Sequence, residues 1–331
     1  MPNNKIARIP ELDVMKFIGI ILVVVGHVTR MHTSQGLIPT IGENSTLKII
    51  TDVIYSFHMP MFVFVSGMTL AFVSVRKPSY QAFWPLVANK TKRLMVPYFA
   101  FGFFWVLPFM VGYGFRDFSS YLLNGIILSL DSRHLWYVWM LFDTFILFYI
   151  FHIVSEKLKL PQYSVLIASM LLYIVEKCWG GRIPYFQIDN MLEYQLWFIL
   201  GYMTLIYKSE FKRIIPIVVV FGVATSLFYT PIAHFLYALV GTYLTYWFAQ
   251  AIQNVTENKI IKNIVRNSFG IYLFHPMIIY ALYYYYGGCQ YNEYLFALCV
   301  SVVSFTVSFL LTEAMRKVKL QVLIGEKQFR E

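Results

Sequence analysis

Charged side chains are scarce in this sequence, and their scarcity excludes an ordinary soluble domain. Asp, Glu, Lys and Arg make up 13% of the 331 residues, whereas a soluble domain contains about 25%. Hydrophobic residues reach 58% and aromatic residues 19%. A chain with so few charges between long apolar runs is predicted to be a polytopic membrane protein.

Several patterns that mark well-known catalytic sites are also missing. The chain has no HExxH or CxxC metal spacing, no Walker-type or GxGxxG phosphate loop, and no GxSxG nucleophile elbow. Cys178, Cys289 and Cys299 form no spaced pattern and are odd in number, so we predict neither a metal site nor a redox role for them. These absences leave ion chemistry or acid–base chemistry on histidine.

The apolar runs predict an all-α fold. The N-terminal region lacks the small-residue cleavage site of a signal peptide, so the first run is interpreted as a retained helix. No internal repeat is evident, and we predict one domain over 1–331 that forms a bundle of about ten transmembrane helices. The predicted spans are about 14–29, 50–75, 95–113, 135–154, 163–179, 194–207, 214–229, 232–250, 268–286 and 294–312.

The basic residues alternate between the predicted loops. With the N-terminus inside, the inner segments hold 20 of the 27 Lys and Arg residues, the outer segments hold six, and Lys16 lies within span 1. This bias follows the positive-inside rule, so it predicts a multi-pass protein of the inner or plasma membrane with both termini cytoplasmic. The net charge of +10 is therefore interpreted as a topology signal, and no nucleic-acid partner is predicted.

Span 1 carries a polar stripe. Lys16 and His27 are eleven residues apart, which brings them within about 20° of the same helix face and about 16 Å apart along the axis. Asp13 falls about 60° away, and Gly19 and Gly26 flank the stripe, where small residues allow close helix packing. Each residue also has a structural interpretation, a snorkelling lysine and a hydrogen-bonded histidine, but two ionisable residues on one face favour function.

Two further histidines precede prolines within predicted spans. His58 is followed by Pro60 and His275 by Pro276. Proline removes a backbone donor, and irregular backbone at membrane depth is tolerated where it lines a cavity. An ordinary proline kink is the alternative, but the adjacent histidine favours a cavity wall. We interpret His32, by contrast, as a loop or satisfied core residue.

Basic and aromatic residues mark the two ends of the predicted bundle. Lys90, Lys92 and Arg93 precede span 3 at the inner end, where they would anchor the helix to headgroups or receive an anionic ligand. Trp136 and Tyr137 follow His134 at the outer end. These aromatic residues are typical of an interfacial belt, with a substrate platform as the alternative.

Five of these segments, in order, resemble the acyltransferase 3 family of integral-membrane acyltransferases. Lys16 and His27 match the family's Arg/Lys-x10-His signature, with Asp13 upstream. The other four segments are 57–67 (FHMPMFVFVSG), 92–97 (KRLMVP), 134–137 (HLWY) and 268–275 (SFGIYLFH). The branch that they resemble most is that of the fucose 4-O-acetyltransferases, although Phe17 follows Lys16 where that branch has glycine.

The resemblance implies transfer of an acyl group, usually acetyl from acetyl-CoA, to a hydroxyl of a polysaccharide or lipid-linked sugar of the cell envelope. No metal is implied. A neutral histidine would deprotonate the hydroxyl, and direct transfer and an acyl-histidine intermediate both remain open. The residues expected to act are His27, His58 and Asp13 in catalysis, Lys16, Lys92 and Arg93 in acyl-CoA binding, and His134, Trp136, Tyr137, Tyr272 and His275 in acceptor binding.

Two other functions fit the buried charges. A proton-coupled transporter of a glycan or small solute would use Asp13, Lys16 and His27 as a proton relay. A catalytically idle member of the family would act in assembly or sensing. Neither alternative explains five matching segments as directly as acyl transfer does.

Overall fold

The protein is all-helical in the computed structural model, which describes residues 9–38, 42–74, 82–161, 163–178, 182–207, 230–289 and 292–327. A 3₁₀ segment, Gln321–Ile324, follows the last long helix, and we name it the C-terminal turn. The main helices in these ranges are α1 (Pro10–Arg30), α2 (Ser45–Ser74), α3 (Phe83–Gly112), α4 (Phe118–Ile127), α5 (Arg133–Lys157), α6 (Tyr163–Cys178), α7 (Ile188–Ile206), α8 (Thr230–Ala251), α9 (Lys259–Tyr286) and α10 (Glu293–Lys317).

The predicted all-α class is confirmed, but the count of ten spans is not. Helices occupy every predicted span except 214–229, which lies outside the described residues. Within the described residues, five helices are long and apolar enough to cross a membrane: α1, α2, α3, α5 and α10. The 16 residues of α6 extend about 24 Å, short of the hydrocarbon thickness, and α9 begins with a basic polar segment.

Local sequence explains where several helices begin. Pro10 stands in the first turn of α1, where its missing N–H costs no hydrogen bond. The side chain of Asn258 accepts from the backbone N–H of Ile260 at the start of α9. Asn292 caps α10 in the same way. These caps satisfy backbone donors that a helix start leaves unpaired.

Three π-helical turns interrupt the α-helical geometry on one side of the bundle. Thr91–Met95 and Gly102–Val106 lie within α3, and Tyr121–Ile127 forms most of α4. Such turns are rare and occur frequently at functional sites. The first of them contains Arg93.

The two prolines do not break their helices. Pro60 lies inside α2 and Pro276 inside α9, and both helices continue past them. The predicted interruptions are therefore prolines within continuous helices, because neighbouring turns and side chains can satisfy the backbone groups that proline leaves free.

Glycines set the distances between the central helices. α1 packs against α2 and α9, and α2 packs against α7 and α8. A Cβ added at Gly67 of α2 would lie 2.0 Å from the carbonyl oxygen of Phe198, and one at Gly201 of α7 would lie 1.9 Å from that of Phe64. The backbones of α2 and α7 therefore touch. Gly19 likewise contacts α2, as predicted, since its added Cβ would meet the Phe62 ring at 2.7 Å.

His32 joins the end of α1 to α9. Its Nε2 lies 2.8 Å from the hydroxyl oxygen of Tyr283, and the side chain is buried. Burial lowers the pKa of His32, although the nearby Glu293 carboxylate opposes the shift. These contacts fit the interpretation of His32 as a core residue, although its Nδ1 is buried without a hydrogen-bond partner among the described residues.

The α2–α7 contact predicts a severe cost for any side chain at its two glycines. Gly67→Ala and Gly201→Ala should each lower the free energy of unfolding by about 1–3 kcal/mol or more, because backbone must move to admit the methyl group. Gly112→Ala is the matched control, since nothing lies within 4 Å of its added Cβ. Thermal unfolding in detergent measures the three variants, and equal stability would contradict the contact.

Candidate active site

Two cavities lie at different levels of α1. The first, which we name the histidine cavity, has a volume of about 500 Å³, and the second, the lysine cavity, about 320 Å³. The polar and aromatic lining of the histidine cavity consists of His27, Arg30, Gln35, Asp131, Ser132, Arg133, His134, Trp136, Gln187, Asn190 and Tyr280. The polar and aromatic lining of the lysine cavity consists of Lys16, Phe62, Ser66, Thr69, Lys90, Arg93, Tyr137, Phe145, Arg266, Ser268, Phe269, Tyr272 and Glu326.

The predicted stripe on α1 reaches both cavities. Lys16 lines the lysine cavity, and His27, three turns further along the helix, lines the histidine cavity. Segments predicted to be cytoplasmic contribute Arg93, Arg266 and Glu326 to the lysine cavity, whereas predicted outer loops line the histidine cavity. The two ends of the bundle are therefore segregated as the charge pattern predicts, while the end that faces the cytoplasm stays a prediction.

Three histidines from three helices meet beside the histidine cavity, and we name His27, His134 and His275 the histidine group. The ring centroid of His27 lies 5.0 Å from that of His275, and the two rings meet edge to face. His134 also lies near His275, with their ring centroids 6.2 Å apart. His134 and His275 are buried, whereas His27 is half-buried and lines the cavity. The structure thus brings together three of the histidines that the sequence singled out.

Backbone carbonyls fix the tautomers of the two buried rings. His275 Nδ1 lies 2.9 Å from the carbonyl oxygen of Ile271, and His134 Nε2 lies 3.0 Å from that of Leu273. Because a carbonyl oxygen only accepts, each of these ring nitrogens must carry the proton. The opposite nitrogens, His275 Nε2 and His134 Nδ1, are then acceptors, and neither has a partner among the described residues.

His58 and Asp13 lie apart from this group. His58 is buried, its Nδ1 donates to the carbonyl of Ile54 at 2.8 Å, and it lines neither cavity. Its ring packs on Tyr55, which in turn contacts His27 at a centroid distance of 6.3 Å. Asp13 is 14 residues from His27 on α1, about 21 Å along the axis. Neither His58 nor Asp13 contacts the His27 ring, so no such contact supports the catalytic roles predicted for them.

A thin aromatic wall separates the two cavities. Trp136 lines the histidine cavity, and the next residue, Tyr137, lines the lysine cavity. Tyr272 also lines the lysine cavity, yet its hydroxyl donates to the backbone carbonyl of His134. The rings of Tyr137 and Tyr272 are 5.7 Å apart. At this level, one layer of side chains divides the two spaces.

The lysine cavity has a basic lining. Lys16, Lys90, Arg93 and Arg266 contribute four basic side chains, and Glu326 is the one carboxylate among the described residues of this lining. Lys90 Nζ lies 3.3 Å from the centroid of the Phe145 ring, which also lines the cavity. The cavity is therefore suited to an anionic ligand.

The C-terminal turn closes one side of the lysine cavity. Arg316 of α10 donates through Nε to Glu326 at 2.8 Å and through Nη2 to the other oxygen of the same carboxylate. Arg316 also donates to Asn267 of α9 at 2.6 Å. Gly325 has φ +73°, and an added Cβ would lie 2.5 Å from the carbonyl oxygen of Arg93. The bidentate ion pair thus holds the residues after the turn against α10, and the Gly325 backbone contact places them against α3.

The residues predicted to bind the donor or the acceptor are distributed unevenly between the two cavities. Lys16, Arg93, Tyr137 and Tyr272 line the lysine cavity, and His134 and Trp136 line the histidine cavity. Lys92 is exposed and lines neither. Tyr137 and Tyr272, predicted to contact the acceptor, thus lie on the lysine-cavity side of the wall.

Sequence reasoning missed several polar residues of the two cavities. Arg30 lies three residues after His27, so helical spacing already places it on the same face. Arg133 directly precedes His134, and the sequence indicates for it only a place among the six basic residues of the predicted outer segments. Gln187 had no such signal, because its position depends on a left-handed backbone conformation with φ of +60°.

Comparison with known families decides the class of this bundle. Residues 9–313 match the family model described as an acyltransferase domain, Acyl_transf_3. The chain belongs to the acyltransferase 3 family. Comparison with curated proteins and with solved structures gives no match. Membership of the acyltransferase 3 family supports acyltransferase activity and use of an acyl donor, and it covers nearly the whole chain, including every residue of the histidine group.

The wall between the cavities yields a stability prediction. Tyr272→Phe removes the donor to the His134 carbonyl and should lower the free energy of unfolding by about 1–3 kcal/mol, because that buried carbonyl loses its partner. Tyr237→Phe serves as the control, since Tyr237 is exposed on α8. Thermal unfolding of both variants in detergent is the measurement. A control shift as large as that of Tyr272→Phe would contradict the bond.

Proposed function

We propose that this protein transfers an acetyl or other short acyl group from acyl-CoA to a hydroxyl of a cell-envelope glycan or lipid-linked sugar. One observation carries the proposal: Lys16 and His27, on one face of α1, line two different cavities. A basic cavity suits the phosphates of CoA, and a histidine-lined cavity suits deprotonation of a hydroxyl. The O-acetyltransferase branch and the polysaccharide acceptor are proposed on the resemblance of the five segments.

His27 is the proposed general base. It takes the proton of the acceptor hydroxyl while that oxygen bonds to the thioester carbonyl carbon, and the carbon–sulfur bond then breaks. The proton leaves with the CoA sulfur, so the base is regenerated. His275 is suited to orient His27, because its unprotonated Nε2 can accept an N–H from the neighbouring ring. The second nitrogen of His27 then carries the lone pair that the reaction needs.

The donor is proposed to enter the lysine cavity. Its phosphates bind at the mouth with Arg93 and Arg266, and the thioester arm extends past Lys16 toward the aromatic wall. The Tyr137 hydroxyl at that wall is suited to donate to the oxyanion of the tetrahedral intermediate. The acyl group has to pass one layer of side chains to meet His27.

We further propose that the protein lies in the plasma or inner membrane and that its lysine cavity faces the cytoplasm. Acyl-CoA is then supplied on the side where both termini lie, as the distribution of Lys and Arg predicts. The histidine cavity faces the opposite side. Lys92, which is exposed at the lysine-cavity end of the bundle, would attract the anionic donor through its charge rather than by contact.

Loss of a single base tests the reaction. Envelope glycans from cells without the gene should lack an acyl group that mass spectrometry detects in wild-type cells. Wild-type protein should restore it, whereas His27→Gln should not, because glutamine keeps a hydrogen-bonding side chain without useful basicity. The expected loss of rate is about 10²–10⁴-fold.

The same experiment separates the alternatives. A folded His27→Gln protein that restores acylation would contradict the assignment of His27 as the general base. An unchanged glycan profile in cells without the gene would reject acyl transfer to the envelope and favour transport or an assembly role. Size-exclusion chromatography in detergent checks that the variant is folded.

Donor binding is tested at Arg93. Arg93→Ala should raise the Michaelis constant for acyl-CoA by about tenfold or more while the constant for the acceptor changes little, because a charge-assisted contact contributes about 1.5–3 kcal/mol. Lys92→Ala is the matched control, since Lys92 is the neighbouring cation and lines neither cavity. Equal effects of the two substitutions would indicate general charge attraction instead of a contact with the donor.

A further inference from the structure

The histidine cavity contains an excess of positive charge on the acceptor side. Arg30 and Arg133 line it, and Asp131 is the one carboxylate among its lining residues within the described part of the chain. Arginine is costly to bury and is retained where its fork of donors is used. The cavity therefore has more cationic donors than a neutral sugar requires.

Asp131 is already neutralised within the protein. One of its carboxylate oxygens lies 2.9 Å from Nη2 of Arg133 and 3.1 Å from Nη2 of Arg116. Arg116 does not line the cavity, so it compensates Asp131 from outside. This arrangement leaves the charge of Arg30 uncompensated by any carboxylate that lines the cavity.

The two arginines are held in different ways. The guanidinium of Arg30 stacks over the Tyr55 ring at 5.1 Å from its centroid, which fixes its position without neutralising it. Arg133 has φ of +53°, a left-handed conformation that a non-glycine residue adopts only where the surrounding structure enforces it. Its Nε is buried and lacks a hydrogen-bond partner among the described residues. Both side chains are thus set in place before a ligand binds.

The rest of the cavity is suited to a sugar. Gln35, Gln187 and Asn190 offer amide donors and acceptors, and Trp136 offers an aromatic face. Gln187 is itself fixed, since its side chain donates to the Ser129 carbonyl and accepts from Asn190 Nδ2 at 2.5 Å. A volume of about 500 Å³ accommodates a sugar together with one charged substituent.

We propose that the acceptor carries an anionic oxygen group, a carboxylate or a phosphate ester, which Arg30 and Arg133 bind beside the hydroxyl that His27 deprotonates. The proposal rests on the proposed acyl transfer, which it deepens by naming the class of acceptor. A carboxylate would come from an acidic sugar of the glycan, and a phosphate from a lipid-linked or phosphorylated sugar. Both anions match the planar donor fork of arginine.

Binding in the absence of acyl-CoA tests this proposal independently of catalysis. Purified protein in nanodiscs is titrated by calorimetry with three probes, methyl glucoside, methyl glucuronide and glucose 1-phosphate. At least one anionic probe should bind about tenfold or more tightly than the neutral glucoside. The tighter of the two anionic probes identifies which source of anion the cavity prefers.

Matched variants assign the effect to the cavity. Arg30→Gln and Arg133→Gln should each weaken binding of the preferred anion by about tenfold or more and leave the neutral probe unchanged. Arg30→Lys keeps the charge and should retain most of the preference. Lys48→Gln is the control, because Lys48 is an exposed cation near the start of α2, lies in an i,i+4 pair with Asp52 and does not line the cavity.

Equal binding of neutral and anionic probes, or no binding of either anionic probe, would overturn the proposal. So would an anion preference that survives in both glutamine variants. Circular dichroism and thermal unfolding confirm that Arg133→Gln is folded, and Arg30→Gln carries the test alone if it is not. Because no acyl-CoA is present, these results stand apart from the glycan analysis, whose failure would reject acyl transfer itself.

Discussion

The hydrogen bonds from imidazole rings to helix carbonyls are the constraint on which the histidine group depends. A neutral imidazole has one donor and one acceptor nitrogen, and the hydrogen bonds that the two nitrogens make determine which of them carries the proton. The Ile271 carbonyl takes the proton of His275 Nδ1, and the Leu273 carbonyl takes that of His134 Nε2. Both carbonyls belong to α9, so a single helix determines which nitrogens of two rings remain basic.

This arrangement directs attention to His27. His27 and His134 both line the cavity, but the ring of His134 donates to the Leu273 carbonyl and the ring of His275 to the Ile271 carbonyl. His58 shows the same commitment without a place in the group, since its Nδ1 donates to the Ile54 carbonyl. A histidine before a proline is thus a recurring way of tying a ring to its own helix, and only its neighbours decide whether it lies near a reaction.

The sequence predicted relations within a helix better than relations between helices. Lys16 and His27 share a face because helical geometry alone requires it, and the structure extends that face to two cavities. The pairing of His27 with His275 rather than with His58 depends on how α1 packs against α2 and α9, which periodicity does not specify. The same limit hid Gln187, whose backbone conformation depends on contacts with Ser129 and Asn190.

The two cavities along α1 have a consequence for the order of events. Ligands that enter a protein through separate mouths do not exclude one another, so neither has to leave before the other arrives. An enzyme built in this way is free to form a ternary complex by either sequence of encounters, and its two products depart along different routes. Saturation with one ligand then leaves the entrance for the other open. The two routes meet only at the aromatic wall of Tyr137 and Tyr272.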